Sequence, residues 1–518
     1  MIVAHRASIG ATFVLLSIAI LGGCATRRPT RPTNGVTNDP PPSVKKANAW
    51  YIESKPLDSG KPISCSFVEF DERGDYLDFE QHRNAYNKIK QLATNGERLL
   101  IVIYLHGWKN NSQSGDVVEF NNFLVRLANS AFAKDGGFRV HGIYLSWRGN
   151  SFEHALDTSK PSFSHTEDVY GQRIVDRGYA RNGKLGWLLW IPEQLSYWNR
   201  MSVAENKASG VPLIRTIYTL GYVAQRYNDT NQPNRVLLMG HSMGALMLEK
   251  SFAPASLSRL TAEWPWDDEN LVKQAKANPL PFDLTLLVNS AAPSIYAKEF
   301  FEFMAAHHEA LRRDNVLGSD SPLVISLTST ADWATGKAHP AANLLAPFYP
   351  SLWRKYKGSD FILTKGDAAE KTEIRQAYYY ARTPGHNPLL VNHWVVSPPG
   401  EYKAPAETNL LHWNLTEMPL EGSEAGIFFT APRSKKDSVH AWQLTKFPPD
   451  TNWSYYNGIK PISVDPDGVK AGYWIIQCPK EIIAGHNDIW CEQAIDTYAA
   501  LIHEAEFLRN VNPQTSTN

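Results

Sequence analysis

From about residue 64 onward, short apolar runs alternate with amphipathic stretches. Ser66-Phe67-Val68-Glu69-Phe70 reads as a strand. Leu77 to Leu92 sets Leu77, Ala85, Ile89 and Leu92 at helical spacing. Leu99 to Leu105 (LLIVIYL) is apolar almost throughout, as expected of a parallel strand covered on both faces. Val117 to Phe132 reads as a helix, Val140 to Trp147 as a strand and Leu213 to Tyr227 as a helix. The strand Arg235 to Met239 runs towards a helix at Ala245 to Phe252. Leu284 to Val288 and Leu323 to Leu327 are further strands, with a helix around Ala297 to Leu311 between them. Tyr473 to Gln477 and Ile489 to Leu508 supply a last strand and a closing helix. Strand then helix, repeated, predicts an α/β fold with a mostly parallel central sheet and helices on both faces. Residues 149–205 and 337–470 break the rhythm. They are expected to be two large insertions forming a cap over the carboxyl edge of the sheet, where α/β enzymes bind ligands.

The N-terminus changes the picture of where the chain works. Ile9 to Ile20 is an apolar run of a dozen residues. That is shorter than the roughly 20 residues a membrane-spanning helix needs, and it has the length of a signal-peptide core. The run ends in Leu21-Gly22-Gly23-Cys24, which resembles the lipobox of bacterial lipoproteins. The resemblance implies removal of residues 1–23 as a signal peptide and a lipid on Cys24. It places the protein in the bacterial cell envelope, anchored to the membrane. Ala25 lacks the aspartate that signals inner-membrane retention in such lipoproteins, which points to the outer membrane facing the periplasm. Residues 24–49 include Arg27-Arg28-Pro29-Thr30-Arg31-Pro32 and Pro40-Pro41-Pro42 and read as a disordered tether. Residues 50–510 then form one domain, and 511–518 a disordered tail. Lys plus Arg equals Asp plus Glu, a balance that argues against a nucleic-acid partner.

Chemistry concentrates in Gly240-His241-Ser242-Met243-Gly244. A G-x-S-x-G alone occurs by chance, but here an apolar strand leads into it and a helix follows at once. A sharp strand-to-helix turn holds the serine in a strained conformation at the sheet edge. Gly240 and Gly244 let strand and helix approach without side-chain clash. On these residues the chain resembles the α/β-hydrolase superfamily over roughly residues 64–508, the two insertions being departures. The resemblance implies a serine esterase or lipase-like activity with Ser242 as nucleophile. It also implies an oxyanion hole with one donor from the backbone N–H of Met243. The second donor comes from the loop after an earlier strand, often marked His-Gly. His106-Gly107-Trp108 directly follows the LLIVIYL strand, and Trp108 would supply that N–H. Asn110 and Asn111 read as turn residues of the same loop.

The superfamily order is Ser, acid, His. Asp332 follows the strand Leu323 to Leu327 and is the expected acid; Asp283 begins a strand and fits less well. Two Gly-His-Asn tracts compete for the base. His486 lies between the last strand and the closing helix, where the superfamily places its base; His386 sits in the second insertion. Cys478 and Cys491 bracket His486 and are either a disulfide pinning that loop or two thiols. Neither H-E-x-x-H nor a paired C-x-x-C occurs, and no G-x-G-x-x-G follows the first strand, so neither metal nor dinucleotide cofactor is expected. Trp187, Trp190, Tyr197 and Trp198 read as a cap helix packed on the domain, with the lining of an acyl pocket as the alternative. The expected activity is cleavage of a small-molecule or lipid ester through an acyl-enzyme. An acyltransferase or thioesterase with the same triad, or a non-catalytic envelope lipoprotein on this fold, are the alternatives.

Overall fold

The computed structural model describes residues 61–108, 115–147, 200–227, 233–260, 268–277, 280–307, 322–340, 379–396 and 472–510, with shorter pieces elsewhere that include Arg31, Thr33, residues 50–54 and residues 110–112. The expected signal peptide, the tryptophan-rich segment around Trp187, Trp190, Tyr197 and Trp198, and the C-terminal tail lie outside the described residues.

In chain order the strands are β1 (Tyr51–Glu53), β2 (Ser64–Phe70), β3 (Leu99–Leu105), β4 (Arg139–Trp147), β5 (His165–Glu167), β6 (Arg173–Val175), β7 (Arg235–His241), β8 (Leu284–Val288), β9 (Val324–Ser329), β10 (Asp360–Thr364), β11 (Lys371–Arg375), β12 (His393–Val396), β13 (Ile427–Ala431), β14 (His440–Thr445) and β15 (Tyr473–Cys478). Eleven of them make one sheet in the order β1-β2-β4-β3-β7-β8-β9-β15-β12-β14-β13. From β2 to β12 every neighbouring pair is parallel. β1 closes one edge antiparallel, and β14 and β13 extend the other edge the same way. The hairpins β5–β6 and β10–β11 pair outside this sheet.

The helices are α1 (Phe79–Thr94), α2 (Gly115–Asn129), α3 (Ala131–Asp135), α4 (Val211–Arg226), α5 (Met243–Leu260), α6 (Asp268–Ala277), α7 (Ser294–Ala306) and α8 (Glu492–Asn510). β3 shows why they occupy both faces. Leu99, Ile101, Ile103 and Leu105 enter one hydrophobic core with residues of α1, α4, α5 and α7. Leu100, Val102 and Tyr104 enter the other, with residues of α2, α3 and α8. The period of two in a strand sends alternate side chains to opposite layers, and with helices over both layers β3 is apolar at every position except the Tyr104 hydroxyl, which donates to Asp116. Each fully buried aliphatic side chain stabilises by about 1.5–3 kcal/mol. The boundaries follow local chemistry: Asp78 caps α1 by accepting from the Glu80 N–H, and Ser130 ends α2 and caps α3.

Two expectations need correction. The second insertion is not simply a cap, because it donates β12, β13 and β14 to the sheet. The tether is not wholly free of the domain either. Arg31 is buried, its backbone N–H donates to Glu69 Oε2 at 2.9 Å and its Nε–H to the Ser112 carbonyl at 2.8 Å. The Thr33 N–H and hydroxyl both donate to Asp78 Oδ2. An arginine with these partners can be buried in a chain segment whose composition otherwise reads as unstructured.

The order of strands fixes where a site can form. The chain leaves β3 for β4 on one side and returns to β7 on the other. Such a reversal opens a crevice at the carboxyl ends of the flanking strands, here beyond Leu105 and His241.

Candidate active site

β7 ends at His241, and α5 begins at Met243. Ser242 alone makes the turn, at φ 55°. The left-handed region costs a residue with a side chain about 1–2 kcal/mol. Three backbone bonds hold it: the Ser242 N–H donates to the Val288 carbonyl, and the Ser242 carbonyl accepts from Leu246 and Ala291, each at 3.1 Å. Space decides the two glycines. A Cβ on Gly244 would lie 2.1 Å from the Leu105 carbonyl oxygen, and one on Gly240 would lie 2.9 Å from the Ala245 Cα.

His486, on the loop between β15 and α8, brings Nε2 to 2.7 Å from Ser242 Oγ. Its Nδ1 lies 2.9 Å from Asp332 Oδ2. Asp332 stands in the turn after β9, its side chain wholly buried. Asp332 Oδ1 accepts the N–H groups of Ala334 and Thr335 at 2.9 and 3.1 Å, and Oδ2 accepts the Thr335 hydroxyl. Burial pushes this carboxyl up, but the hydrogen bond and charge of His486 and the bonds from Thr335 together outweigh it and hold the group below the usual carboxylate range. An ionised carboxylate only accepts, so Nδ1 of His486 carries the proton and Nε2 presents its lone pair to the serine hydroxyl. The arrangement can therefore take a proton from Ser242 and stabilise the imidazolium that forms.

The expected oxyanion loop lies against the serine. A Cβ on Gly107 would lie 3.1 Å from Ser242 Cβ, which puts Trp108 beside the turn. Met243 is the first residue of α5, so its N–H is one of those a helix leaves without an internal partner. His106 braces this loop. Its Nε2 accepts the Trp147 N–H at 3.2 Å, so Nδ1–H donates to the Gly107 carbonyl at 2.8 Å. Burial pushes His106 down to about 4, and it stays neutral. The Tyr144 hydroxyl donates to the Asn111 carbonyl, a backbone contact consistent with a turn.

The other candidates fall elsewhere. Asp283 accepts the Val236 N–H at 2.7 Å, at the opposite end of β7 from Ser242. His386 lies in the tight turn Pro384–His386, where a Cβ on Gly336 would come within 2.5 Å of its Nε2. Cys478 and Cys491 are thiols rather than the disulfide one reading allowed. Cys478 is buried at the end of β15, and Cys491 Sγ–H donates to the Ile482 carbonyl at 3.0 Å. Hydrogen bonds, not a disulfide, hold the loop carrying His486. Among the described residues no group of three or more His, Cys, Asp or Glu side chains could hold a metal ion.

Two residues at the heart of the site escape a motif-based reading. Asn289, just after β8, is buried at φ 45°. Its amide donates to the carbonyls of Gly485 and His486 at 3.3 and 3.2 Å, while its Oδ1 accepts the Ser329 N–H at 3.0 Å. His241 Nε2–H donates to the same His486 carbonyl at 2.9 Å. Burial and the neighbouring His486 push His241 down to about 3, so it stays neutral. Ser329 Oγ–H completes the clamp on the Ile483 carbonyl. The signal available was an asparagine directly after an apolar strand, since asparagine tolerates the left-handed region better than most residues.

Comparison with known proteins adds nothing to this geometry: no family model matches the chain, and no curated protein or solved structure does either.

Proposed function

We propose that the chain is a serine hydrolase of the α/β-hydrolase type that cleaves a carboxylic ester, held in the bacterial envelope by a lipid on Cys24. The observation that carries the reading is the hydrogen-bonded series Ser242–His486–Asp332, with the serine at a positive φ between a parallel strand and a helix. The order Ser, Asp, His along the chain supports the same class. In this reading Ser242 Oγ attacks the ester carbonyl as His486 Nε2 takes its proton. The N–H groups of Trp108 and Met243 receive the oxyanion. The tetrahedral intermediate then collapses: the bond to the alcohol oxygen breaks, His486 gives that oxygen the proton so that it leaves as an alcohol, and the acyl group stays on Ser242. Water, deprotonated by His486, then releases the acid and restores the serine.

Ser242→Ala should lower kcat by about 10⁶-fold and abolish labelling by a fluorophosphonate probe. Labelling that survives in that variant removes Ser242 from the mechanism.

A further inference from the structure

We propose that the N-terminal segment docks so as to turn the catalytic edge of the sheet towards the anchoring membrane, and that Ser242 acts on an ester carried by that membrane rather than one dissolved in water. The inference rests on the hydrolase and lipid-anchor readings above and adds the substrate class.

Its basis is the seat of Arg31. Glu69, near the carboxyl end of β2, is almost wholly buried. Its Oε2 accepts the Arg31 N–H and the Gln81 amide, both at 2.9 Å, and its Oε1 accepts the Ser112 hydroxyl. The Arg31 guanidinium lies 3.7 Å from the centre of the Phe67 ring while Nε–H reaches the Ser112 carbonyl. The Arg31 carbonyl accepts the Gln81 amide at 2.7 Å. Ser112 belongs to the loop after β3, the loop that carries Trp108. Thr33, bound at the start of α1, and the Arg31 backbone, bound to Glu69 and Gln81, both sit at the carboxyl end of β2, and the Arg31 side chain reaches from there to the loop that carries Trp108.

Register fixes how near this is. Glu69 pairs with Ser146 of β4, whose neighbour Leu145 pairs with Leu105, which in turn pairs with Gly240. Arg31 therefore binds level with the end of β7. Three strand spacings separate β2 from β7, or about 14 Å. Cys24 is seven residues before Arg31, a reach of at most about 25 Å. The opposite edge lies a seven-residue strand away, about 23 Å. Only a fully stretched segment running back down the flank would bring Cys24 level with that edge. Arg27 and Arg28, between anchor and dock, add attraction to anionic headgroups.

The test uses the full acylated chain in vesicles of phosphatidylcholine and phosphatidylglycerol. Turnover of a fluorogenic long-chain ester in the vesicles is compared with that of a short-chain soluble ester. A Gly-Ser spacer of about 20 residues between Thr26 and Arg27 releases the orientation without touching the dock. It should lower the vesicle-to-soluble turnover ratio about tenfold, since effective concentration falls steeply once the tether no longer matches the span. The paired Arg31→Ala and Thr33→Ala substitutions should lower the same ratio. An unchanged ratio in the spacer variant overturns the inference alone, whereas a chain that carries no lipid on Cys24 overturns the lipid-anchor reading and this inference with it and leaves the hydrolase reading standing. A wild-type protein that resists the fluorophosphonate probe overturns the hydrolase reading itself, and this inference with it.

Discussion

The tripeptide Gly-His-Asn occurs twice, at residues 385–387 and 485–487, and the structure treats the two copies differently at every position. A Cβ on Gly385 would fall 2.2 Å from Thr328 Oγ1, whereas one on Gly485 would meet nothing closer than Asp488 Oδ2 at 3.2 Å. Asn387 is wholly buried, donating to Ser294 Oγ at 2.8 Å and accepting from the Leu389 N–H at 3.1 Å; Asn487 is exposed. His386 packs over Gly336, with Nδ1 3.4 Å from the Thr383 hydroxyl. His486 spans the serine and the aspartate, and its own carbonyl is held by Asn289 and His241. One copy is a packed corner in which the asparagine and glycine matter most. The other is a projecting loop in which the histidine matters most, and the side chains that fix it come from other strands. A short motif carries no role by itself; its surroundings assign one.

The comparison breaks most decisively at the histidines. His486→Ala should lower kcat by about 10⁶-fold with little loss of stability, because under the proposed mechanism it removes the base that takes the Ser242 proton. His386→Ala should cost less than about tenfold, a shift of positioning rather than loss of a proton acceptor. Equal losses in the two variants, read by ester turnover and by the rate of phosphonylation, would erase the distinction.

The next largest effect concerns the clamp. Asn289→Gly suits the positive φ without strain, so it removes the amide while sparing the backbone. A base displaced by an ångström costs about 10²-fold. Turnover and phosphonylation should fall together by that order, with KM for a short-chain ester unchanged. A rise in KM with kcat intact would show that Asn289 shapes the substrate pocket instead.

These two effects also mark what the sequence made legible. Strands β3 and β8 were readable to the residue, because both are buried at every position and all but Thr285 of β8 and the Tyr104 hydroxyl of β3 are apolar. That Ser242, Asp332 and His486 lie together was foreseeable because each follows a strand, which places it at the carboxyl edge of the sheet. β12, β13 and β14 were not, since they are short strands set in a long Pro- and Tyr-rich insertion outside the regular alternation of strand and helix. The grip of Asn289 on a carbonyl 197 residues away is a long-range side-chain-to-backbone bond, which leaves no local pattern. Arg31 hid for a different reason: its burial depends on Glu69 and Ser112, neither of which is near it in sequence.

The asparagines should separate in stability rather than in rate. Asn387→Ala leaves the Ser294 hydroxyl and the Leu389 N–H short of a buried partner, a loss of about 1–3 kcal/mol. Asn487→Ala, at an exposed position, should stay within about 0.5 kcal/mol of wild type. Urea unfolding of both proteins measures the difference. An Asn487→Ala protein as unstable as Asn387→Ala would mean that the 485–487 loop is also a packed corner.

The smallest effect tests whether His386 competes with His486 for Asp332. Burial and the nearby His486 lower the pKa of His386, and Asp332 raises it; burial leads, and the net direction is down. In the unfolded chain this histidine takes up a proton as pH falls through about 6.5. In the folded protein it does so only at lower pH. Over that window the unfolded state binds more protons, so His386 makes stability fall as pH falls. His386→Gln should therefore lessen the acid dependence of unfolding free energy between roughly pH 7 and pH 5, by a fraction of one proton. An acid dependence that steepens in the variant would mean that folding raises the pKa of His386, as an ion pair with Asp332 would. Asp332 would then be divided between two histidines, and the turnover of His386→Gln should rise as His486 gains an undivided partner.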